Sequence, residues 1–127
     1  MNKTLDFNSK NVVYSNMNKM GYACINMQLS NSKPKVYTGR SMIKRTFESK
    51  GIEYASELGL ENCKDLFTII KWNNENGFDF FRITSNLFPW CSEYKLEDMP
   101  HHWEICGILG EIGKYVKENN MRITSHP

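Results

Sequence analysis

Apolar, aromatic and β-branched residues concentrate between Phe78 and Ser85, and this run stops at a loop that mixes small polar and aromatic residues. The composition of the run predicts a buried strand. Pro89 lacks the N–H that a central strand must donate, so the strand cannot continue through it. Trp90 and Tyr94 follow in the loop. A strand that opens into an aromatic loop is typical of the way an α/β enzyme presents a site.

The sequence Arg-Ile-Thr-Ser occurs twice, at residues 82–85 and 122–125, a spacing of 40 residues. One helical pattern separates the two copies. A strand, a loop, a helix and a second strand over this distance indicate a βαβ unit with parallel strands. Each copy alone is compatible with an ordinary core strand, but two copies in register favour equivalent positions in neighbouring strands.

A first strand is predicted at residues 21–27, Gly-Tyr-Ala-Cys-Ile-Asn-Met. Tyr22 and Asn26 are four residues apart, so on a strand they point to the same face. Near the end of that strand, two hydrogen-bonding side chains could reach a ligand. A buried Tyr with a local partner and a turn-forming Asn also explain the spacing, and the spacing alone slightly favours this interpretation. The sequence leaves both interpretations open.

Amphipathic helices are predicted between the strands. Over residues 51–76, apolar side chains recur at helical spacing, and Asn62 and Asn73 share their face. Gly59 is expected to divide this region into two pieces. Gly77 is expected to end it, because glycine adopts the left-handed conformation that terminates many helices.

The second helix is predicted to begin near Asp98, as the capping residue, with Pro100 in its first turn. Three glycines recur in it at intervals of three residues. Each costs up to about 1 kcal/mol relative to Ala in a helix interior, so close packing against the sheet is expected to offset them. These residues are Gly107, Gly110 and Gly113.

A polar segment, residues 28–46, connects the first strand to the first helix. Lys and Arg are dense over residues 33–50, where Glu48 is the one acid. Long loops in compact domains are usually functional or disordered. Charge alone favours a solvated surface here over a segment that faces phosphate.

Three strands separated by helical crossovers should be parallel. Two helices do not cover both faces of such a sheet, and both of its edges are open. The expected fold class is therefore α/β, with about three βα units from the N-terminal portion of a (β/α)₈ TIM-type barrel. A full barrel takes about 250 residues, whereas this chain has 127. Residues 20–127 form the partial barrel domain, and residues 1–19 are expected to be a flexible extension.

Composition narrows the class of protein only slightly. The net charge of +2 identifies no partner. The four cysteines contain no Cys-x-x-Cys pair, which gives no support to a zinc knuckle. Two of them lie in apolar patterns and are typical of reduced core cysteines of an intracellular protein. No run is apolar enough for a membrane span or a signal peptide. An intracellular protein without a membrane partner is expected.

Three motifs resemble the N-terminal part of UV-damage endonucleases. They are Gly-Tyr-Ala-Cys-Ile-Asn at 21–26, Phe-Arg-Ile-Thr-Ser-Asn-Leu-Phe-Pro-Trp at 81–90 and Arg-Ile-Thr-Ser-His-Pro at 122–127. They occur in the order of the family and cover the chain from residue 21 onward. The resemblance implies a barrel related to endonuclease IV that cuts the backbone of damaged double-stranded DNA immediately 5′ to UV photoproducts. It implies two or three divalent ions, commonly manganese, with zinc or magnesium as alternatives.

The resemblance also implies roles for individual residues. Tyr22 and Asn26 match a catalytic pair that lies near the metal cluster and the DNA. Ser85 and Trp90 match a strand end and its loop, which are expected to bind DNA.

Two residues are candidate metal ligands on the same resemblance. His126 matches a metal-ligating His, and a neutral imidazole suits manganese or zinc. Glu93 stands where relatives often carry a His, and a carboxylate also binds hard cations. A multi-metal site needs about seven ligands or more. The remainder of the barrel is therefore expected to complete the site, and this chain alone is expected to be inactive.

Two other functions stay open from the sequence. A sugar isomerase or epimerase could use the same kind of metal-binding barrel. Alternatively, the chain could be a non-catalytic truncated product, which its small number of ligand residues favours.

Overall fold

A computed structural model describes residues 12–14 and 20–125 of the chain. Its four strands are β1 (Val12–Tyr14), β2 (Met20–Ala23), β3 (Phe80–Ile83) and β4 (Arg122–Ser125). They form one sheet in the order β1–β2–β3–β4. β1 is antiparallel to β2, whereas β2 with β3 and β3 with β4 are parallel. The predicted set of three parallel strands is confirmed.

β1 lies inside the segment for which the sequence predicts a flexible extension. Three of its residues instead form an edge strand, in which Val13 is opposite Gly21. An exposed strand edge carries unpaired N–H and C=O groups, and β1 pairs with those of β2. The other residues of the predicted extension, 1–11 and 15–19, lie outside the described residues.

Helices connect the parallel strands. The three α-helices are α1 (Met27–Ser30), α2 (Lys44–Glu75) and α3 (His102–Glu118). α1 and α2 follow β2, whereas two short 3₁₀ turns and α3 follow β3. The 3₁₀ turns are Cys91–Glu93 and Leu96–Asp98. Within the described part of the chain, no helix combines the length and the apolar character needed to cross a membrane.

α2 is longer than predicted, and its interruption lies elsewhere. The non-helical residue is Gly51, with φ 68°, and the predicted break at Gly59 is wrong. Gly59 is buried, and a Cβ there would lie 3.0 Å from a ring carbon of Phe88, so its small size serves packing. Gly77 has φ 82° and follows the end of the helix, as predicted.

β2 is shorter than the predicted strand. Cys24 has φ 65°, a left-handed conformation that ends the extended backbone. Asn26 therefore does not lie on the strand. It caps α1, and its side-chain oxygen accepts a hydrogen bond from the backbone N–H of Leu29 at 2.8 Å. The prediction that Tyr22 and Asn26 share one strand face is wrong.

The predicted start of α3 and the predicted role of its glycines are also wrong. His101 occupies the N-cap position, while Asp98 belongs to a 3₁₀ turn. A Cβ at any of the three glycines would meet nothing within 4 Å, so these positions are open and do not pack closely against the sheet. They are Gly107, Gly110 and Gly113.

The core lies between the sheet and the two long helices. Alternation along β2 and β3 directs Tyr22 and Phe81 to the same side, where they are 1% and 0% exposed. Their rings pack edge to face, with centroids 5.1 Å apart. α2 contributes fully buried side chains to this core, namely Cys63, Leu66, Ile69 and Ile70. The core thus fixes the ends of β2 and β3 relative to α2.

The thiol of Cys63 gives a test of this packing. Burial raises its pKa from 9.0 to about 12, and the thiolate is the form that reacts with alkylating reagents. Iodoacetamide at neutral pH is expected to modify the exposed Cys91 and Cys106 but not Cys63, as mass spectrometry of peptides would show. Modification of Cys63 as fast as Cys91 would contradict the packing.

The same shift predicts a pH dependence of stability. The pKa of Cys63 is higher in the folded state than in the unfolded state, so the folded state holds this proton more tightly. Its contribution to stability is complete below pH 9.0 and declines as the pH rises towards about 12. Cys63→Ala should weaken the decline in this interval, measured by urea unfolding at each pH.

Candidate functional site

A pocket opens at the carboxyl ends of the parallel strands. Ala23 is opposite Arg82 and Ile83 is opposite Ser125, so these strand ends are nearly level. In parallel α/β sheets, ligands bind at this edge. The pocket has a volume of about 460 Å³ and is lined by the turn after β2, the turn after β3 and the segment from residue 35 to residue 39.

The pocket lining mixes apolar side chains, Ile25 and Met27 among them, with polar side chains that suit a polar or anionic ligand. They supply amide groups, hydroxyl groups and one ammonium group, and no carboxylate is among them. A pocket with hydrogen-bond donors, a positive charge and no acid is compatible with a phosphate group. The polar groups that carry this argument are those of Asn26, Asn31, Lys35, Thr38, Thr84 and Asn86.

Asn26 is held in the pocket wall by a buried hydrogen-bond chain. Its side-chain nitrogen donates to the hydroxyl of Tyr22 at 2.6 Å. That hydroxyl donates in turn to the side-chain oxygen of Asn73 on α2. Tyr22 and Asn26 are each 1% exposed. The side-chain amide of Asn26 is thus fixed in one orientation by groups that do not line the pocket.

Tyr22 is a poor candidate for proton transfer. Burial raises its pKa well above the ordinary value, and the hydrogen bonds with Asn26 and Asn73 lower it only in part. Its hydroxyl therefore stays protonated at neutral pH. The arrangement suits a residue that orients Asn26 better than one that takes a proton from a substrate.

Arg40 connects the segment that precedes α2 to that helix through an ion pair. Its guanidinium forms an ion pair with Asp65 at 2.7 Å and donates to the backbone oxygen of Tyr37 at 2.7 Å. It also stacks on the Tyr37 ring, 4.3 Å from the centroid. Lys35, by contrast, is exposed and lines the pocket. The charge that faces the pocket is therefore that of Lys35.

Trp90 contacts the other end of this segment, just before α2. Its ring nitrogen donates to the backbone oxygen of Met42 at 2.8 Å. Its ring stacks on Phe47, with centroids 5.4 Å apart and planes 9° apart. Trp90 is half-buried and does not line the pocket. These contacts position the start of α2, where Lys44 and Arg45 are exposed.

The structure brings only some of the predicted site residues together. Tyr22 and Asn26 are hydrogen-bonded, and Asn26 reaches the pocket. Ser85 is exposed between two lining residues but is not one itself. Glu93 is exposed in a 3₁₀ turn and also lies outside the pocket lining. His126 lies outside the described residues.

Two residues at the site have no role assigned from the sequence. Lys35 belongs to a basic segment for which charge alone favours a solvated surface over a position that faces phosphate. Asn73 lies on the apolar face of α2, and it is fully buried with its oxygen bound to Tyr22. A polar side chain on an otherwise apolar helical face is the signal for such a buried partner.

The described residues do not provide a complete metal site. Among residues 12–14 and 20–125, no three His, Cys, Asp or Glu side chains converge as a metal ion would require. A divalent cation prefers several carboxylate or imidazole ligands. The lining of the pocket, with amides and hydroxyls, does not fit that requirement.

A parallel sheet with crossover helices and a pocket at its carboxyl edge define the fold of this chain as part of an α/β barrel. The family model described as UV-endonuclease UvdE matches residues 18–127. The chain therefore belongs to the UV-endonuclease UvdE family. The matching model is described as a UV-endonuclease and not as a sugar isomerase, the alternative that the sequence leaves open.

Relatives and a solved structure agree with this family. A protein of Acanthamoeba polyphaga mimivirus is 39% identical over 113 residues, which are 88% of this chain and 34% of that protein. The UV-damage endonuclease of Schizosaccharomyces pombe is 35% identical over 113 residues, which are 86% of this chain and 18% of that enzyme. The crystal structure of SacUVDE matches with a TM-score of 0.59 and 27% identity over 83% of this chain and 33% of that chain.

The chain spans about a third or less of the proteins it matches. The predicted N-terminal portion of a TIM-type barrel is confirmed by the parallel sheet and by the similarity to SacUVDE.

Proposed function

We propose that this chain forms the N-terminal part of a DNA-repair endonuclease that nicks the DNA backbone 5′ to UV photoproducts. The observation that carries the proposal is the family match over residues 18–127. The pocket of about 460 Å³ at the carboxyl edge of the sheet supports it, because its lining suits a phosphodiester. A DNA substrate would place the protein inside the cell.

Lys35 is the proposed contact to a backbone phosphate. It lies in the pocket lining, and its nitrogen is 5.0 Å from the centroid of the Tyr37 ring. The Arg40–Asp65 ion pair holds the segment that carries it. A lysine acts on phosphate as a point charge and contributes affinity independent of base sequence.

Asn26 is the proposed catalytic residue of this chain, and Tyr22 is its positioning residue. Asn26 lines the pocket, and the side-chain N–H that does not donate to Tyr22 would donate to an oxygen of the reacting phosphate. Tyr22 and Asn73 fix that amide before the substrate arrives. A donor fixed in advance stabilises developing charge without the cost of reorganisation.

Ser85 and Trp90 remain proposed DNA-binding residues in different ways. Ser85 is exposed next to the pocket, where its hydroxyl can donate to a phosphate oxygen. Trp90 acts indirectly, because its ring and its N–H hold the segment that presents Lys44 and Arg45.

Divalent ions, manganese first, remain the proposed cofactor of the whole barrel. The described residues do not fit a metal cluster, so no catalytic step is assigned to them through a metal. His126 and Glu93 are the ligands this chain could contribute, and the remaining ligands would come from later strands. When bound, such ions would activate water and stabilise the leaving oxygen.

The proposal is tested by nicking of UV-irradiated plasmid. The chain alone should not nick it. An in-frame fusion of the chain to the unmatched remainder of the mimivirus protein should nick it when manganese is present. In this fusion Lys35→Gln should weaken DNA binding and reduce the dependence of log K on log salt by about 1.

Lys114→Gln is the matched control, because Lys114 is an exposed residue of α3 that does not line the pocket. Its salt dependence should match that of the unchanged fusion. A folded fusion that binds manganese but leaves irradiated DNA intact would refute the proposed function.

A further inference from the structure

Arg82 is a half-buried cation on the face of the sheet opposite the helical core. Phe81 points into that core beside Tyr22, so the next residue of β3 points to the opposite face. Within the described part of the chain, the guanidinium of Arg82 forms neither an ion pair nor a hydrogen bond. A charge that is partly withdrawn from water without a partner is costly. The position therefore indicates an anionic ligand.

A second unused donor is the neighbour of Arg82 in the sheet. Thr124 on β4 is opposite Arg82 in the parallel register. Ile123, the residue before it, packs against the core, so Thr124 shares the face of Arg82. The hydroxyl oxygen of Thr124 is buried and has no hydrogen-bond partner among the described residues. Neighbouring strands lie about 4.8 Å apart, so both side chains can reach one polyatomic anion.

The third residue of this row leaves space beside the guanidinium. Ala23 on β2 is opposite Arg82, and its side chain is a single methyl group. The row lies near the carboxyl edge of the sheet, because β2 ends at Ala23 and β3 ends at Ile83. Thr84, two residues after Arg82, lines the pocket. The row thus lies next to the pocket, although Arg82 and Thr124 are not part of its lining.

We propose that Arg82 and Thr124 form a phosphate-binding site on this face of the sheet, separate from the pocket contacts of Lys35 and Asn26. The guanidinium donates two parallel hydrogen bonds to two phosphate oxygens, and the Thr124 hydroxyl donates to a third. The inference deepens the proposed function and rests on it for one point, namely that DNA supplies the phosphate.

The set of donors favours phosphate over a carboxylate. The planar fork of an arginine matches both oxygens of a carboxylate by itself. Thr124 adds a donor from the neighbouring strand, which suits the additional oxygen atoms of a tetrahedral phosphate. Among the described residues, no Asp or Glu forms an ion pair with Arg82.

The first test titrates inorganic phosphate into this chain at constant ionic strength, followed by NMR of the Arg82 Nε–H and the Thr124 amide. Both resonances should shift and saturate together. Arg82→Met keeps a long side chain and should weaken phosphate binding at least about tenfold, because charge-assisted hydrogen bonds are the strong ones. Arg82→Lys keeps the charge without the fork and should restore only part of the affinity.

Arg122→Met is the matched control. Arg122 is exposed on the same face of β4, two residues before Thr124, which is about 7 Å along the strand. This variant removes the same charge from the same face of the sheet. Its affinity for phosphate should stay within about twofold of the unchanged chain, because an exposed charge at this distance is largely screened.

Thr124→Val separates binding from folding. Valine has nearly the shape of threonine and no hydroxyl, so the variant removes a buried group that lacks a partner. Without phosphate, its urea midpoint should equal or exceed that of the unchanged chain, while its affinity for phosphate should fall about threefold or more. A lower midpoint without phosphate would show that the hydroxyl is bonded within the protein, which would contradict the site.

The source of the phosphate is tested in the fusion with the remainder of the mimivirus protein. If DNA supplies it, Arg82→Met should reduce the dependence of log K on log salt by about 1. An unchanged slope, with phosphate still bound by the chain, would assign the site to free phosphate.

Two results of the titration would overturn the inference: no saturable shift, or equal losses in Arg82→Met and Arg122→Met. Neither of them involves nicking. A chain that binds phosphate at Arg82, in a fusion that leaves irradiated DNA intact, would refute the proposed function and leave the phosphate site established.

Discussion

Gly21→Ala is expected to prevent β2 from pairing with β3. An added Cβ would lie 1.6 Å from the backbone oxygen of Phe80 and 2.3 Å from its carbonyl carbon. Both atoms belong to the strand that is opposite Gly21, so no side-chain rotation relieves the contact. The strands must separate, and the loss of stability should be about 3 kcal/mol or more. Urea unfolding followed by circular dichroism measures it.

The matched control is Gly107→Ala on the exposed side of α3. A Cβ there meets nothing within 4 Å. This variant should raise stability by up to about 1 kcal/mol, because Ala has the higher helix propensity. Alanine is therefore expected to lower stability at Gly21 and to raise it at Gly107. A midpoint for Gly21→Ala near that of the unchanged protein would show that β2 does not approach β3 so closely.

The order and direction of the three parallel strands were predictable from composition and from the repeat. Phe78 to Ser85 is rich in aromatic and β-branched residues, and the second Arg-Ile-Thr-Ser copy marks the next strand. The crossovers between the strands then require parallel pairing. The strand ends were less predictable, because β2 stops at a left-handed Cys24, a conformation that few non-glycine residues adopt.

Tyr22 and Asn26 lie together in the structure, although the geometry predicted for the pair is wrong. A spacing of four residues suggests a common strand face. In the structure the chain turns at Cys24, and Asn26 reaches back to Tyr22 from the cap of α1. The sequence identifies two polar residues near one another, but the backbone conformation between them depends on packing against α2.

The glycines of α3 illustrate an incorrect inference from the low helix propensity of glycine. Their unfavourable helix propensity suggests compensation by close packing, yet all three lie open in the described chain. Nothing in the structure explains Gly107, Gly110 or Gly113.

Asn62→Leu is expected to release the basic segment from the body of the protein. Asn62 is fully buried on α2. Its oxygen accepts the backbone N–H of Arg40 at 3.1 Å, and its nitrogen donates to the backbone oxygens of Arg40 at 3.2 Å and Leu87 at 2.9 Å. One amide therefore joins α2 to the segment that carries Lys35 and to the loop after β3, and the latter two segments line the pocket.

Leucine has the same branched arrangement of four side-chain heavy atoms as asparagine, but it neither donates nor accepts hydrogen bonds. The substitution leaves backbone groups of Arg40 and Leu87 without their partner, and each buried unsatisfied group costs about 1 to 3 kcal/mol. The expected loss of stability is about 3 kcal/mol in urea unfolding. Hydrogen exchange at the Arg40 amide should accelerate by more than the global change in stability explains, because the segment opens locally.

Asp65→Asn tests the neighbouring Arg40–Asp65 ion pair independently of the Asn62 hydrogen bonds. The Arg40 and Asp65 side chains are 18% and 17% exposed, and the substitution keeps the shape of Asp65 while removing its charge. A loss of only about 1 kcal/mol is expected. If Asn62→Leu cost no more than Asp65→Asn and left exchange at Arg40 unchanged, the ion pair would hold the segment and Asn62 would not. The order of the two effects therefore decides which interaction keeps Lys35 at the pocket.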